Sequence, residues 1–134
     1  MCIRDRLFVA GLCGLAYGLA DVVEAFRSHG VDSDMMVISG GAGRSPLVRQ
    51  IMADTTGLTI AVPETREPVL LGAAMLGAVA ASAYPSVSEA MASMNRADRV
   101  IEADKGNARA FHAQKHRVFL RMHEDQLSYR RLMQ

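Results

Sequence analysis

Val37-Ile38-Ser39-Gly40-Gly41-Ala42-Gly43-Arg44-Ser45-Pro46 is the stretch on which the reading of this 134-residue chain turns. Met35 to Ile38 read as a buried strand. The glycines allow positive φ and leave a bare backbone surface, Ser45 suits an N-cap, and Pro46 suits the first helical position. The pattern is a strand, a glycine turn and a helix. Such a unit presents free backbone N–H groups and the positive end of a helix dipole to whatever lies above the turn, which favours a nucleotide. A tight strand-to-helix turn without a ligand is the alternative. Two other phosphate loops do not fit. No Lys-Ser or Lys-Thr follows the last glycine, as a P-loop requires, and Pro46 stands where a dinucleotide fingerprint needs its third glycine after Gly41 and Gly43.

Half of the residues are hydrophobic and the formal net charge is +1, which fits one soluble globular domain with a real core. That charge balance gives no basic field for nucleic acid, and the aromatic residues, 5% of the chain, are too scattered for a base-stacking platform. Cys2 and Cys13 have no metal-type spacing and no reason to bridge, so a reducing cytosol, and hence a cytoplasmic setting, is expected. At the N-terminus, Arg4 and Arg6 precede an apolar run from Leu7 to Ala20 that resembles the apolar part of a signal peptide. The run is shorter than the ~20 apolar residues of a bilayer span. It continues without a turn into Asp21–Phe26, where Leu12, Leu15, Leu19, Val22 and Phe26 keep a helical spacing. One buried amphipathic helix explains both halves, with no membrane. Gly11, Gly14 and Gly18 would let another element approach it, although Gly14 and Gly18 also fit the small-residue motif of membrane helices.

The spacing along the chain predicts helices over about 7–28, 46–56, 69–82, 87–95 and 108–132, and strands over about 35–39 and 59–62. This is an α/β arrangement that turns all-helical towards its C-terminus. His29-Gly30 and Thr56-Gly57 place a glycine just past a helix end, where a left-handed residue is wanted. From Pro68 to Ser88 no residue is charged, and the small residues around Gly72 and Gly77 suit a helix packed tightly on several sides; a membrane span is the rival reading, disfavoured because Gly and Ala are less hydrophobic than Leu and Ile. Ser86-Val87-Ser88-Glu89 has the form of a capping box, which makes Ser86 structural. In the last helix Phe111, Val118, Met122, Tyr129 and Met133 form one apolar stripe, expected to strap that helix across the others.

Several side-chain groups bear on chemistry. His112 and His116 sit one helical turn apart with His123 on the same face, but Ala113 stands where metallopeptidases place a glutamate, and Lys115 and Arg117 repel a cation. A solvated helix face, with no metal, is expected there. Cys13 has no basic neighbour to lower its pKa and is not a nucleophile candidate. Glu64, Arg66 and Glu67 lie where the C-terminal edges of both strands should meet, the usual ligand edge of an open α/β sheet, and could border a cleft or form a local ion pair. Arg44 could touch a phosphate or be an exposed loop arginine.

Ser39 to Asp54, followed by Gly57, Glu67 and Leu71-Gly72-Ala73-Ala74-Met75-Leu76-Gly77-Ala78, resemble the C-terminal domain of the FGGY carbohydrate kinases. The glycine run resembles their adenosine motif. The Ser86–Met94 helix, Lys115–Leu120 and Gln126–Arg130 are most similar to the pentulose kinases of the D-ribulokinase type, and the resemblance runs from about Leu7 to Arg131. It implies the C-terminal half of an actin-, hexokinase- and heat-shock-70-like ATPase domain: a short sheet with packed helices and a helical C-terminus. In that fold two α/β domains hold ATP and sugar in the cleft between them. By resemblance Gly40, Gly41 and Ala42 lie against the adenosine and phosphate side of ATP, and Ser45 stands near the nucleotide. The family's phosphate loop, sugar pocket and general-base aspartate would lie upstream, so no aspartate here is expected to be catalytic and Mg2+ would be held mainly by the nucleotide and the other domain. The expectation is therefore residues 7–134 as part of a cytoplasmic kinase that phosphorylates a ketopentose such as D-ribulose, inactive alone, with residues 1–6 a non-native start. Alternatives are another sugar or polyol kinase of the family, or a non-catalytic helical interaction module. Self-association is expected either way, from apolar helices left uncovered, with a homo-oligomer one form it could take.

Overall fold

The computed structural model describes residues 2–65 and 67–133, with the backbone alone at residue 98. Three strands form one sheet in the order β1 (Met35–Val37), β2 (Thr59–Pro63), β3 (Ala97–Ile101). The first two are parallel, with Met36 beside Ile60, and β3 runs antiparallel to β2, with Ile60 beside Ile101. Parallel neighbours need a crossover, which here is a one-turn helix α2 (Gly40–Arg44) followed by α3 (Pro46–Thr56). Alternation puts Met36, Ile60 and Ile101 on the face that α3 covers, and Ile60 is wholly buried. The opposite face exposes Met35, Val37 and Val100.

The expected helix stops are present: Gly30 has φ +80° and Gly57 has φ +72°, the latter capping α3 with its N–H on the Ala53 carbonyl at 2.8 Å. The first helix, α1 (Ile3–Ser28), begins ahead of Leu7, so residues 3–6 are its first turn, and the Asp5 carboxylate accepts the Cys2 N–H at 2.8 Å. At 26 residues it is long and apolar enough, by length and composition, to cross a membrane, which the Leu7–Ala20 run by itself is not. Its packed face differs from the expected leucine stripe. Ala16, Tyr17 and Ala20 are buried against α3 and α6, whereas Leu15, Val22 and Phe26 are exposed. Two alanines admit a neighbouring helix closely, and a Cβ built on Gly18 would lie 4.0 Å from the ring of Phe119, whereas one on Gly11 or Gly14 would meet nothing within 4 Å.

The last helix, α6 (Asn107–Leu132), corrects two expectations. Its apolar stripe of Phe111, Val118, Met122, Tyr129 and Met133 faces outward, and the inward face carries His112, His116 and Phe119. His112 is 8% exposed rather than solvated, and its Nδ1 lies 3.1 Å from the Tyr17 hydroxyl. The hydroxyl of a buried tyrosine needs a polar partner, and this requirement outweighs the pull of the apolar stripe. The Phe119 and His116 rings stand 5.9 and 6.1 Å from that of Tyr17. Burial pushes the Cys13 thiol up, opposed by its hydrogen bond with Tyr17; burial, then Cys13, pushes the Tyr17 phenol up to about 12. Cys13 is therefore a protonated thiol at neutral pH, with little thiolate to act as a nucleophile.

The uncharged segment forms α4 (Pro68–Ala80) and packs on α5 (Val87–Met94). Within this chain it is not enclosed on several sides: only Met75 is buried, and Val69 is 83% exposed. An eight-residue helix is too small to cover its apolar surface. The Ser86 hydroxyl accepts the Glu89 N–H at 3.2 Å, the expected cap of α5. Between α4 and α5, Ser82 adopts φ +58° while the Ala83 N–H reaches back to the Ala78 carbonyl at 2.9 Å. Left-handed backbone strains a serine and not a glycine. Ser82→Gly is expected to stabilise the chain by about 0.5–1 kcal/mol, the relief exceeding the added chain entropy, as measured by urea unfolding.

Strand β3 occupies a stretch in which the sequence predicts no element. Five residues that include Asp98 and Arg99 carry no local strand signal, and β2, some forty positions away, supplies their partners with a bulge at Val62/Pro63. Asp54, buried in α3, then anchors the following loop: its carboxylate accepts from the Asp104 N–H at 2.7 Å and from Gln50 Nε2 at 2.8 Å.

Candidate functional site

Beyond Val37 the Ile38 N–H still bonds the Ala61 carbonyl at 3.0 Å, and the chain then leaves the sheet through Ser39 and Gly40. Gly40 is left-handed, with φ +72°, which reverses the chain into α2. Gly43 answers a different need: a Cβ there would stand 3.0 Å from the Ile38 carbonyl oxygen and 3.4 Å from its carbon. Gly41 answers a third, since a Cβ on it would meet nothing within 4 Å. The glycine turn is thus a single helical turn folded back on β1, with one surface open.

Beside it, at the carboxyl ends of β1 and β2, lies an open cleft of about 500 Å³. Gly40, Gly43, Arg44 and Arg49 line it from the glycine turn and α3, and Val62, Glu64 and Arg99 from β2, the loop after it and β3. This is the ligand edge of a parallel α/β sheet, and the volume falls within the ~300–1,000 Å³ of small-molecule sites.

The expected site residues divide. Gly40 lines the cleft, while Gly41 and Ala42 are exposed on the adjoining surface of α2. Ser45 does not line it: its hydroxyl accepts the Val48 N–H at 3.4 Å and caps α3. Arg44 and Glu64 border the cleft, Glu67 precedes α4 as its N-cap, and Arg66 lies outside the described residues. Arg49 and Arg99 were missed. Arg99 comes from the strand without a local signal. Arg49 had a signal, since it lies one turn beyond Ser45 on the helix that must cover the sheet; it is 8% exposed, and its Nη1 donates to the Gly43 carbonyl at 3.1 Å.

Among the described residues the charged lining is Arg44, Arg49, Arg99 and Glu64, and the glycine surface offers no side chain to obstruct an anionic ligand lying over bare backbone. Among the described residues no group of three or more His, Cys, Asp or Glu is placed to hold an ion.

The profile of the C-terminal domain of the FGGY family of carbohydrate kinases matches residues 5–81. An FGGY carbohydrate kinase domain-containing protein from Danio rerio is 38% identical over 120 residues, covering 90% of this chain and 22% of that protein. A ribulokinase from Mycolicibacterium smegmatis is 39% identical over 79 residues, covering 59% of this chain and 14% of the ribulokinase. The solved structure of a xylulose kinase from Lactobacillus acidophilus superposes with a TM-score of 0.71 over 85% of this chain and 23% of that one, at 19% identity. The chain thus spans about a fifth of the length of such relatives, 22% for the Danio rerio protein.

Proposed function

The chain belongs to the FGGY family of carbohydrate kinases, and from that membership we propose that it forms the ATP-binding wall of a sugar kinase. Its fold is that of the C-terminal half of an actin- and hexokinase-like ATPase domain, a small sheet with packed helices and a helical C-terminus. The observation that carries the proposal is the cleft between the glycine turn and the β2–α4 loop, lined by Arg44, Arg49 and Arg99. In this reading the backbone of Gly40, Gly41 and Ala42 lies against the adenosine and phosphate side of ATP, and Ser45 holds the start of α3 in register with the turn. Bound ATP, with Mg2+, supplies the phosphoryl group. Arg44 neutralises negative charge at the rim.

Phosphoryl transfer rests on positioning and charge neutralisation from both sides of a cleft. We assign the sugar pocket, the general base and most of the metal coordination to the rest of the protein. The acceptor sugar in this reading is a ketopentose such as D-ribulose, supported by the likeness to the Mycolicibacterium smegmatis ribulokinase and by the C-terminal helices. A cytoplasmic setting is part of the same reading, supported by two free cysteines. The test measures ATP-dependent phosphorylation of D-ribulose by the 134-residue chain and by a protein extended with the remaining kinase sequence. Turnover is expected only from the extended protein. Turnover by the chain itself would overturn this division of labour, and none with any sugar in the extended protein would overturn the kinase reading.

A second reading, a non-catalytic interaction module, is favoured by the exposed apolar surfaces of α1 and α4, which in either reading promote self-association of the isolated chain. Thermal unfolding with and without ATP separates the two. A ligand at a hundred times its Kd stabilises the folded state by about 2.7 kcal/mol, and an interaction module gains nothing.

A further inference from the structure

Arg49 is more than 90% buried, yet among the described residues no carboxylate pairs with it. One bond is made, from Nη1 to the Gly43 carbonyl, and Nε is buried without any partner. An ionised guanidinium taken out of water is costly unless a counter-charge meets it. Arg49 lines the cleft, and among the described residues the other charged groups lining it are Arg44, Arg99 and Glu64. Arg44 is exposed, so water and salt screen it, whereas the field of a buried cation reaches further.

We propose that Arg49 is the positioning residue of this cleft: it holds the glycine turn from beneath through the Gly43 carbonyl, and its unneutralised charge selects ligands that carry a phosphate. The inference rests on the nucleotide-binding reading above and deepens it. Affinity for the phosphates, as distinct from the nucleoside, then depends on the charge of a residue outside the glycine motif.

The test is calorimetric titration of ATP, ADP and adenosine into the extended protein and its Arg49→Met and Arg49→Lys variants. Arg49→Met is expected to weaken ATP and ADP by at least about tenfold and adenosine by less than about twofold. Arg49→Lys keeps the charge and should hold the ratio of ATP to adenosine affinity within about threefold, although its melting temperature falls with the lost hold on Gly43. Equal weakening of all three ligands by Arg49→Met, or of none, overturns the role of Arg49 and leaves the nucleotide reading standing. If the methionine variant does not fold, the lysine variant decides: loss of the ATP preference with the charge retained overturns the proposal. A parent protein that binds neither ATP nor adenosine defeats the nucleotide reading itself.

Discussion

Gly41→Val is expected to leave the melting temperature of the chain within about 2 °C of the parent and to lower ATP affinity by more than about tenfold. Gly41 is outside the left-handed region, and a Cβ on it would meet no atom of this chain within 4 Å. The valine methyls therefore project into open space above α2, which costs the fold little. That space adjoins the cleft at Gly40, and a nucleotide lying over the glycine turn must pass through it. Differential scanning calorimetry checks the first half and equilibrium titration with ATP the second. Unchanged ATP affinity in a stably folded variant would remove the nucleotide from this surface.

Two positions along the same turn, valine has the opposite consequence. Gly43→Val is expected to destabilise the chain by about 3 kcal/mol, a fall of about 10 °C in melting temperature. The Cβ would press on the Ile38 carbonyl at 3.0 Å, and Ile38 is held in place by its own N–H bond to Ala61. A flexible side chain could swing aside; backbone at the edge of a parallel pair cannot. Two further methyls deepen the clash, and opening α2 to relieve it would break the Arg49 contact with the Gly43 carbonyl. Urea unfolding measures the loss, and a change below about 1 kcal/mol would mean that the turn is not closed against β1. The contrast between Gly41 and Gly43 separates a glycine kept for a ligand from one kept for packing.

The same contrast shows how far the site was legible. That Gly40, Gly41 and Gly43 form a special backbone was readable, because glycine permits what other residues do not. Their separate tasks were not, because each depends on the distance to an atom elsewhere in the fold: Ile38 for Gly43, open space for Gly41. Ser45 was readable as a cap, and the cap is where its hydroxyl is used. Arg49 and Arg99 reach the cleft only because α3 covers the sheet and β3 joins its edge, neither of which is a property of nearby residues.

By itself the sequence determined whatever is settled within a turn or two of chain: the boundaries of α3 at Ser45 and Gly57, the stop of α1 at Gly30, the cap of α5 at Ser86, and the strand, turn and helix at the heart of the fold. Cap hydroxyls and left-handed glycines act on atoms three or four residues away, so their effect is written locally. Tertiary structure alone decided which helix faces turned inward, where β3 paired and which cations gathered at the cleft. The apolar stripes of α1 and α6 gave way to a face of small residues and to the pairing of Tyr17 with His112. A buried hydroxyl must be satisfied and a close helix approach needs small side chains, and both demands arise only when elements distant in sequence meet.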